Sequence, residues 1–205
     1  MQRSIHRRSW TALAAITAVA VASSLSLAPP PLTPARAADV LSLRWRFQTK
    51  GSVFSSPAVA NGVVYVGSDD GRVYAVDAAS GKLVWQYATR GPVVSSPAVA
   101  DGRVFVGSRD RRLYALDARS GAPVWTFETG GAIASSPAIW QGHVLVGSDD
   151  EFLYAVDGQT GQQAWRVPAL GAVTSSPAVA GGSVYFFGLF DHLYAVDLAS
   201  KSVRW

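Results

Sequence analysis

Cysteine is absent from this 205-residue chain. Its absence excludes disulfide scaffolds, thiolate metal sites, cysteine nucleophiles and a lipidated N-terminal cysteine. An excess of one charge sign is also missing from most of the sequence. Four of the 18 basic residues lie in the first 37, which contain no Asp or Glu, so 14 basic residues face 14 acidic ones in the remainder. This balance argues against binding to nucleic-acid phosphates, and we expect no nucleic-acid partner.

The first 37 residues have the pattern of an export signal. Arg7 and Arg8 precede an apolar stretch at residues 10–27, and Ala35-Arg36-Ala37 provides a small-x-small cleavage site. We predict a signal peptide over residues 1–37 and a domain over 38–205 that works outside the cytoplasm, either periplasmic or secreted. The alternative is an uncleaved segment, which would be the protein's only contact with a membrane. The arginine pair leaves general secretion and twin-arginine export both open.

The remaining sequence repeats every 40 residues without an insertion. Ser-Ser-Pro-Ala occurs four times, beginning at residues 55, 95, 135 and 175. Aromatic and acidic positions keep the same period: Trp45, Trp85, Trp125, Trp165 and Trp205; Asp77, Asp117, Asp157 and Asp197. About 40–45 residues is the length of a β-propeller blade. We therefore place the repeats near residues 51–90, 91–130, 131–170 and 171–205.

Turn residues divide each repeat into four short strands. In the first repeat we predict strands near 56–60, 63–67, 73–77 and 83–88, with Asn61-Gly62 forming the first hairpin. The runs at 63–66 and 73–76 are apolar at successive positions, a pattern that is typical of a sheet buried on both faces. Propeller blades that pack face to face bury both faces of each sheet. The small residues of the first strand fit the crowded position nearest the propeller axis. We predict an all-β propeller of about four four-stranded antiparallel blades.

Residues 75–85, Ala-Val-Asp-Ala-Ala-Ser-Gly-Lys-Leu-Val-Trp, resemble the tryptophan-docking motif of pyrroloquinoline-quinone-type propeller repeats. The motif recurs at 115–125, 155–165 and 195–205. In that family the tryptophan lies flat between blades and its N–H binds neighbouring main chain. The resemblance implies structural roles for the repeated Trp and Asp residues and for Gly81, Gly121 and Gly161. Lys201 replaces the fourth glycine, and we expect its turn to be distorted.

The number of blades leaves three arrangements open. Propellers of this family usually have eight blades, so four blades are half a ring, and residues 43–47 form an isolated outer strand. Truncation of a longer protein is our first expectation. A homodimer of half-rings, or a four-bladed closure in which residues 43–47 complete the fourth blade, are the alternatives. The partners we expect are therefore another protein, a missing second half or a second copy.

Residues for catalysis are scarce. Dehydrogenases of the family hold a metal beside the quinone through Glu, Asn and Asp oxygens, and many have a vicinal Cys pair. Here the only Asn is Asn61, in a hairpin turn, and the only Glu residues are Glu128 and Glu151. His143 and His192 fall in different repeats, without spaced partners for zinc. We predict no catalytic, cofactor-binding or metal-binding residues, no cofactor and no enzymatic activity.

One stretch departs from the repeat. Residues 186–190 read Phe-Phe-Gly-Leu-Phe, where earlier repeats have Gly-Ser and polar turn residues. Apolar side chains at a hairpin tip are not needed for a strand ladder, so Phe186, Phe187, Leu189 and Phe190 are candidate interface residues. Local packing is an equally good explanation of these residues from the sequence alone.

These observations favour a non-catalytic extracytoplasmic scaffold that binds a protein or a small ligand. The chain resembles, within the family, the propeller of the outer-membrane protein assembly machinery, which is not an enzyme. A fragment of a quinone-dependent alcohol or sugar dehydrogenase, and an extracytoplasmic sensor module, are the alternatives. A fold does not determine its function, so the site has to distinguish them.

Overall fold

The computed structural model describes residues 42–190 and 192–205, and the predicted export signal lies outside them. Within these two ranges, fifteen strands form four antiparallel sheets that follow one another in sequence. Within the described residues, no helix is long and apolar enough to cross a membrane. The predicted all-β propeller of four-stranded antiparallel blades is confirmed as a partial propeller.

Each sheet is a meander in which consecutive strands pair. The first sheet contains β1 (Ala58–Ala60), β2 (Val63–Ser68), β3 (Arg72–Asp77) and β4 (Leu83–Ala88). The second contains β5 (Ala98–Ala100), β6 (Arg103–Gly107), β7 (Arg112–Asp117) and β8 (Pro123–Glu128). The third contains β9 (Ala138–Trp140), β10 (His143–Gly147), β11 (Phe152–Asp157) and β12 (Gln163–Pro168). The fourth contains β13 (Ala178–Ala180), β14 (Ser183–Gly188) and β15 (His192–Asp197).

The first strand of the first sheet is shorter than the predicted 56–60, because Ser56 N donates to Ser96 Oγ of the next repeat and Pro57 has no N–H to pair. Ser55 Oγ donates to Gly67 O at 3.0 Å and accepts from Gly67 N at 2.9 Å. This fixes the chain on β2 before strand pairing begins at Ala58. The hairpin that follows is the predicted one: Asn61 and Gly62 have φ of 50° and 75°, as a two-residue turn between right-twisted strands requires.

The hydrophobic core lies between consecutive sheets, in three clusters. Tyr65, Val73 and Trp85 of the first sheet pack against Val104 and Leu116 of the second. Equivalent clusters join the second sheet to the third and the third to the fourth. Side chains of the middle strands point alternately to the two neighbouring sheets, which explains why these strands are apolar at successive positions.

Residues 43–47 do not form the predicted outer strand. Among the described residues this segment has no strand partner, although Trp45 and Phe47 pack on the first sheet. Consequently it does not complete the fourth sheet, and the structure does not show the four-bladed closure. The outer side of β15 is instead approached by the chain's own last residues, through the bridge between Val196 and Val203.

Candidate functional site

The repeated tryptophans lie between sheets. Trp45 Nε1 donates to Ala78 O at 3.0 Å, Trp85 Nε1 to Ala118 O at 3.0 Å, and Trp125 Nε1 to Gly158 O at 3.1 Å. Each ring covers a glycine of the next turn: a Cβ would lie 2.6 Å from a ring atom at three positions, Gly81, Gly121 and Gly161. Glycine is therefore required there for close approach as well as for its positive φ.

The repeated aspartates organise the same turns. Asp77 Oδ1 accepts from Ser80 N at 2.8 Å and from Ser80 Oγ at 2.6 Å. The arrangement recurs in the other three turns, in the pairs Asp117–Ser120, Asp157–Thr160 and Asp197–Ser200. Hydrogen bonds from these Ser and Thr residues hold the pKa of each aspartate below its ordinary value. These carboxylates are thus occupied by the turn itself.

Lys201 does not distort its turn, so that expectation is wrong. Lys201 N donates to Asp197 O at 2.7 Å, as Gly81 N does to Asp77 O at 2.9 Å. The lysine instead adopts a φ of 59°, a region that side chains disfavour. No hydrogen bond from the indole of Trp165 is found among the described residues, whereas the three earlier tryptophans each make one.

The last tryptophan has no sheet beyond it in this structure. Trp205 is 62% exposed, and its ring lies 6.2 Å from that of Tyr185. Tyr65 and Trp85 have a similar separation of 5.8 Å at an internal interface. The fourth sheet therefore presents the same aromatic pair as an internal sheet.

A second repeated contact, which sequence analysis missed, joins each hairpin to the loop before it. Tyr74 Oη donates to Asp70 Oδ2 at 2.6 Å, and Lys50 N donates to the same oxygen at 2.9 Å. The next two repeats have the same contacts, at Asp110 and Asp150. Burial, and then the bond to Asp110, raise the pKa of Tyr114. The recurrence of Asp and Tyr four residues apart in the first three repeats is the sequence signal that could have revealed this contact.

The fourth repeat replaces this polar contact with an apolar surface. Phe190 stands where the other repeats have aspartate, and Leu170 N donates to Tyr194 Oη at 2.7 Å instead. Because the phenol accepts the bond, loss of the carboxylate leaves that N–H satisfied. Phe190 is 73% exposed, and Leu170 and Leu189 are also exposed. We call Leu170, Leu189 and Phe190 the rim patch.

The exposure of Leu170 and Leu189 does not arise from an uncovered sheet face. The positions equivalent to Leu170 and Leu189 are also exposed in the second and third sheets, which have neighbours on both sides. Those positions hold charged residues or glycine: Arg90 and Gly130, and Arg109 and Asp149. The apolar substitution is therefore specific to the fourth sheet.

The interface prediction is wrong for Phe186. Its side chain is 1% exposed, lies between the third and fourth sheets, and stacks on Tyr194 with ring centroids 5.0 Å apart. Alternation along β14 directs Phe186 inward and Phe187 outward. Phe187 is 52% exposed, so it and the two rim residues Leu189 and Phe190 remain candidates for an interface.

The serine repeats have structural partners. Ser56 N donates to Ser96 Oγ at 2.8 Å, and the same bond links Ser96 to Ser136 and Ser136 to Ser176. Each link connects the inner ends of two consecutive sheets. Within residues 42–190 and 192–205, no group of three or more His, Asp or Glu side chains is arranged to hold a metal ion.

A family model described as outer membrane protein assembly factor BamB matches residues 37–205. The chain belongs to the BamB family. No curated protein matches the chain by sequence. BamB from Moraxella catarrhalis is 22% identical with a TM-score of 0.71, and the match covers 80% of this chain and 52% of that one. The chain thus spans about half the length of that BamB structure.

Two further solved structures share the fold. The computationally designed Ika4 protein is 18% identical with a TM-score of 0.67, over 74% of this chain and 94% of that one. Quinohemoprotein alcohol dehydrogenase from Comamonas testosteroni is 20% identical with a TM-score of 0.66, over 76% of this chain and 34% of that one. At these identities the likeness establishes the propeller fold alone.

Proposed function

We propose that the chain is a non-catalytic, extracytoplasmic propeller scaffold that binds protein, and that the rim patch is a contact surface. The observation that carries the proposal is the presence, in one blade only, of exposed Leu170, Leu189 and Phe190 where the other blades have charged residues or glycine. Membership of a family described as an assembly factor supports a role in protein–protein interaction.

The rim patch has the properties of a small interface core. The side chains of Leu189 and Phe190 are not needed for the contact between loop and hairpin, because Tyr194 Oη accepts the hydrogen bond from Leu170 N. Covering apolar area yields about 25 cal/mol per Å². An apolar centre is common in protein–protein interfaces, where charged residues are depleted.

A photo-crosslinking amino acid at position 189, in intact cells of the source organism, tests the proposal. We expect one defined crosslinked partner protein, and we expect Phe190→Asp to remove that product. A crosslinker at Asp149, the equivalent position of the third sheet, is the matched control and is expected to give none. Equal products from both positions, or a product insensitive to Phe190→Asp, would contradict the proposed surface.

The extracytoplasmic location rests on the pattern of residues 1–37 and on the family. We predict that the exported protein begins at or near Ala38, because Ala35-Arg36-Ala37 fits a signal-peptidase site. N-terminal sequencing of protein from the cell envelope or the medium measures this directly. Recovery of a chain that retains Arg7 and Arg8 would contradict cleavage.

The second class of partner that we propose is one that supplies the missing blades of the propeller ring. The chain spans about half of a BamB chain, and both terminal sheets expose apolar side chains, including Phe54 and Phe187. Further blades of a longer protein, or a second copy of this chain, are the two proposed sources. The dehydrogenase alternative gains no support from the quinohemoprotein structures, since the likeness to them is one of fold alone.

A further inference from the structure

Phe187 stands at a position where each of the first three sheets has glycine. A Cβ would lie 2.5 Å from Val93 Cγ1 at Gly67, and closer still to Ile133 at Gly107 and to Val173 at Gly147.

The neighbouring backbone is also close. The same Cβ would lie 2.9 Å from Val93 O at Gly67 and 3.2 Å from Ile133 O at Gly107. A change of side-chain rotamer in the next sheet cannot remove a contact with its main chain. Even one methyl group is therefore too large at these internal interfaces, and a phenylalanine ring is much larger.

The backbone at Phe187 occupies the same place in its sheet as the glycines do in theirs. Ser175 Oγ accepts from Phe187 N at 2.7 Å and donates to Phe187 O at 3.1 Å, as Ser55 does with Gly67. Phe187 is also paired with Leu193 in the register that pairs Gly67 with Val73. The phenylalanine ring therefore projects into the space that the next sheet occupies at an internal interface.

Val53 is the residue of this chain that would meet Phe187 if a second copy docked its first sheet there. It precedes Val93 by one repeat of 40 residues. Val93, Ile133 and Val173 are fully buried over their glycines, whereas Val53 is 47% exposed. In the geometry of the internal interfaces, Val53 of the second copy would overlap the ring.

We propose that Phe187 prevents any blade from docking on the fourth sheet in the geometry of the three internal interfaces. The exclusion applies to the first sheet of a second copy and to a further repeat alike. Completion of the ring at this face then requires a displaced arrangement. This inference rests on the steric pattern of the glycines and stands whether or not the rim patch binds protein.

Sedimentation equilibrium of the full exported chain, as wild type and as Phe187→Gly, tests the exclusion. We expect the glycine variant to self-associate at least about ten-fold more tightly, a factor that corresponds to about 1.4 kcal/mol. Adding Val53→Asp to Phe187→Gly is expected to abolish the gain, because it places a charge over the glycine. Phe190→Ala removes an exposed ring from the rim patch and is the matched control, expected to leave association unchanged.

Thermal melts of each variant establish that the folded state is retained. Unchanged association of Phe187→Gly would overturn the proposal. Wild-type self-association that Val53→Asp weakens as strongly as it weakens the glycine variant would also overturn it, because the internal geometry would then be compatible with the ring. A gain in Phe187→Gly that Val53→Asp reverses would support it.

Discussion

Gly107 shows at the scale of one residue how the blades are joined. Its Cα faces Ile133, in the segment before β9, so closely that a Cβ would lie 3.1 Å from Ile133 Cβ and 3.2 Å from Ile133 O, with Cγ2 nearer still. Glycine serves here to let two sheets approach, and not to supply a positive φ. The contact recurs at Gly67 and Gly147, and Phe187 is the departure from it.

We predict that Gly107→Ala destabilises the fold by about 1–3 kcal/mol, the range for overpacking a core. Urea unfolding measures the loss. In the Ile133→Ala background the same change is expected to cost at least about 1 kcal/mol less, because the overlapping methyl group is gone. Additive losses in the two variants would contradict a direct steric contact.

The four motif aspartates make stability depend on pH. Their pKa values are lower in the folded protein than in the unfolded chain, chiefly because Ser or Thr of the same turn donates to the carboxylate. The stabilisation is therefore present above the unfolded pKa, about 3.9, and is lost as the pH falls through the folded value.

Asp117→Asn is predicted to flatten this acid dependence, because the amide does not titrate. Urea unfolding at about pH 6 and about pH 3 compares the variant with wild type. Ser120→Ala, which removes the first donor but keeps the carboxylate, is expected to reduce the slope as well. A wild-type slope in both variants would show that this turn does not contribute.

At the residue level, sequence analysis was most informative where the period itself carried the information. Trp85 and Asp77 were recognised because they recur at a fixed spacing. The bond between Asp70 and Tyr74 was missed, although both residue types recur with the period. Which side chains meet across a turn depends on the folded geometry of that turn. Phe186 was misassigned because the direction of a strand side chain depends on register, which only the folded sheet fixes.

At the scale of the element, the second, third and fourth strands of the repeat fall within a residue of their predicted bounds. Asn61, Gly62 and Gly81 have positive φ and form turns, and these turns set where the strands begin and end. The first strand was overestimated, since Ser56 N is bonded to Ser96 Oγ and Pro57 has no N–H to pair. Residues 43–47 form no strand, because a strand needs hydrogen-bonding neighbours that this segment lacks among the described residues.

Trp85→Ala is predicted to cost about 3–5 kcal/mol, as for other buried aromatic residues. The ring is packed between β4 and the second sheet, and its indole N–H is bonded to Ala118 O. Trp205→Ala is the matched control: its ring is mostly exposed, and we expect a loss below about 1 kcal/mol. Urea denaturation of both variants decides the matter, and equal losses would contradict interfacial burial of Trp85.

At the scale of the whole molecule, the repeat predicted the propeller but not how the ring is completed. Identical blades produce identical interfaces, so the fold followed from one period. We propose that completion depends instead on Phe187, where the repeat departs from glycine. The rim patch and the sheet face that carries Phe187 both belong to the fourth repeat or its border. The proposed function is therefore localised to the fourth sheet.

We propose that this propeller is a scaffold and not a quinone enzyme. Catalysis by a bound quinone depends on protein groups that hold the cofactor in place. The most direct measurement adds pyrroloquinoline quinone and Ca²⁺ to the purified exported chain, then records the thermal shift and dye reduction with alcohols and sugars. We predict no shift and no substrate-dependent reduction. Stoichiometric quinone binding with turnover would contradict the claim.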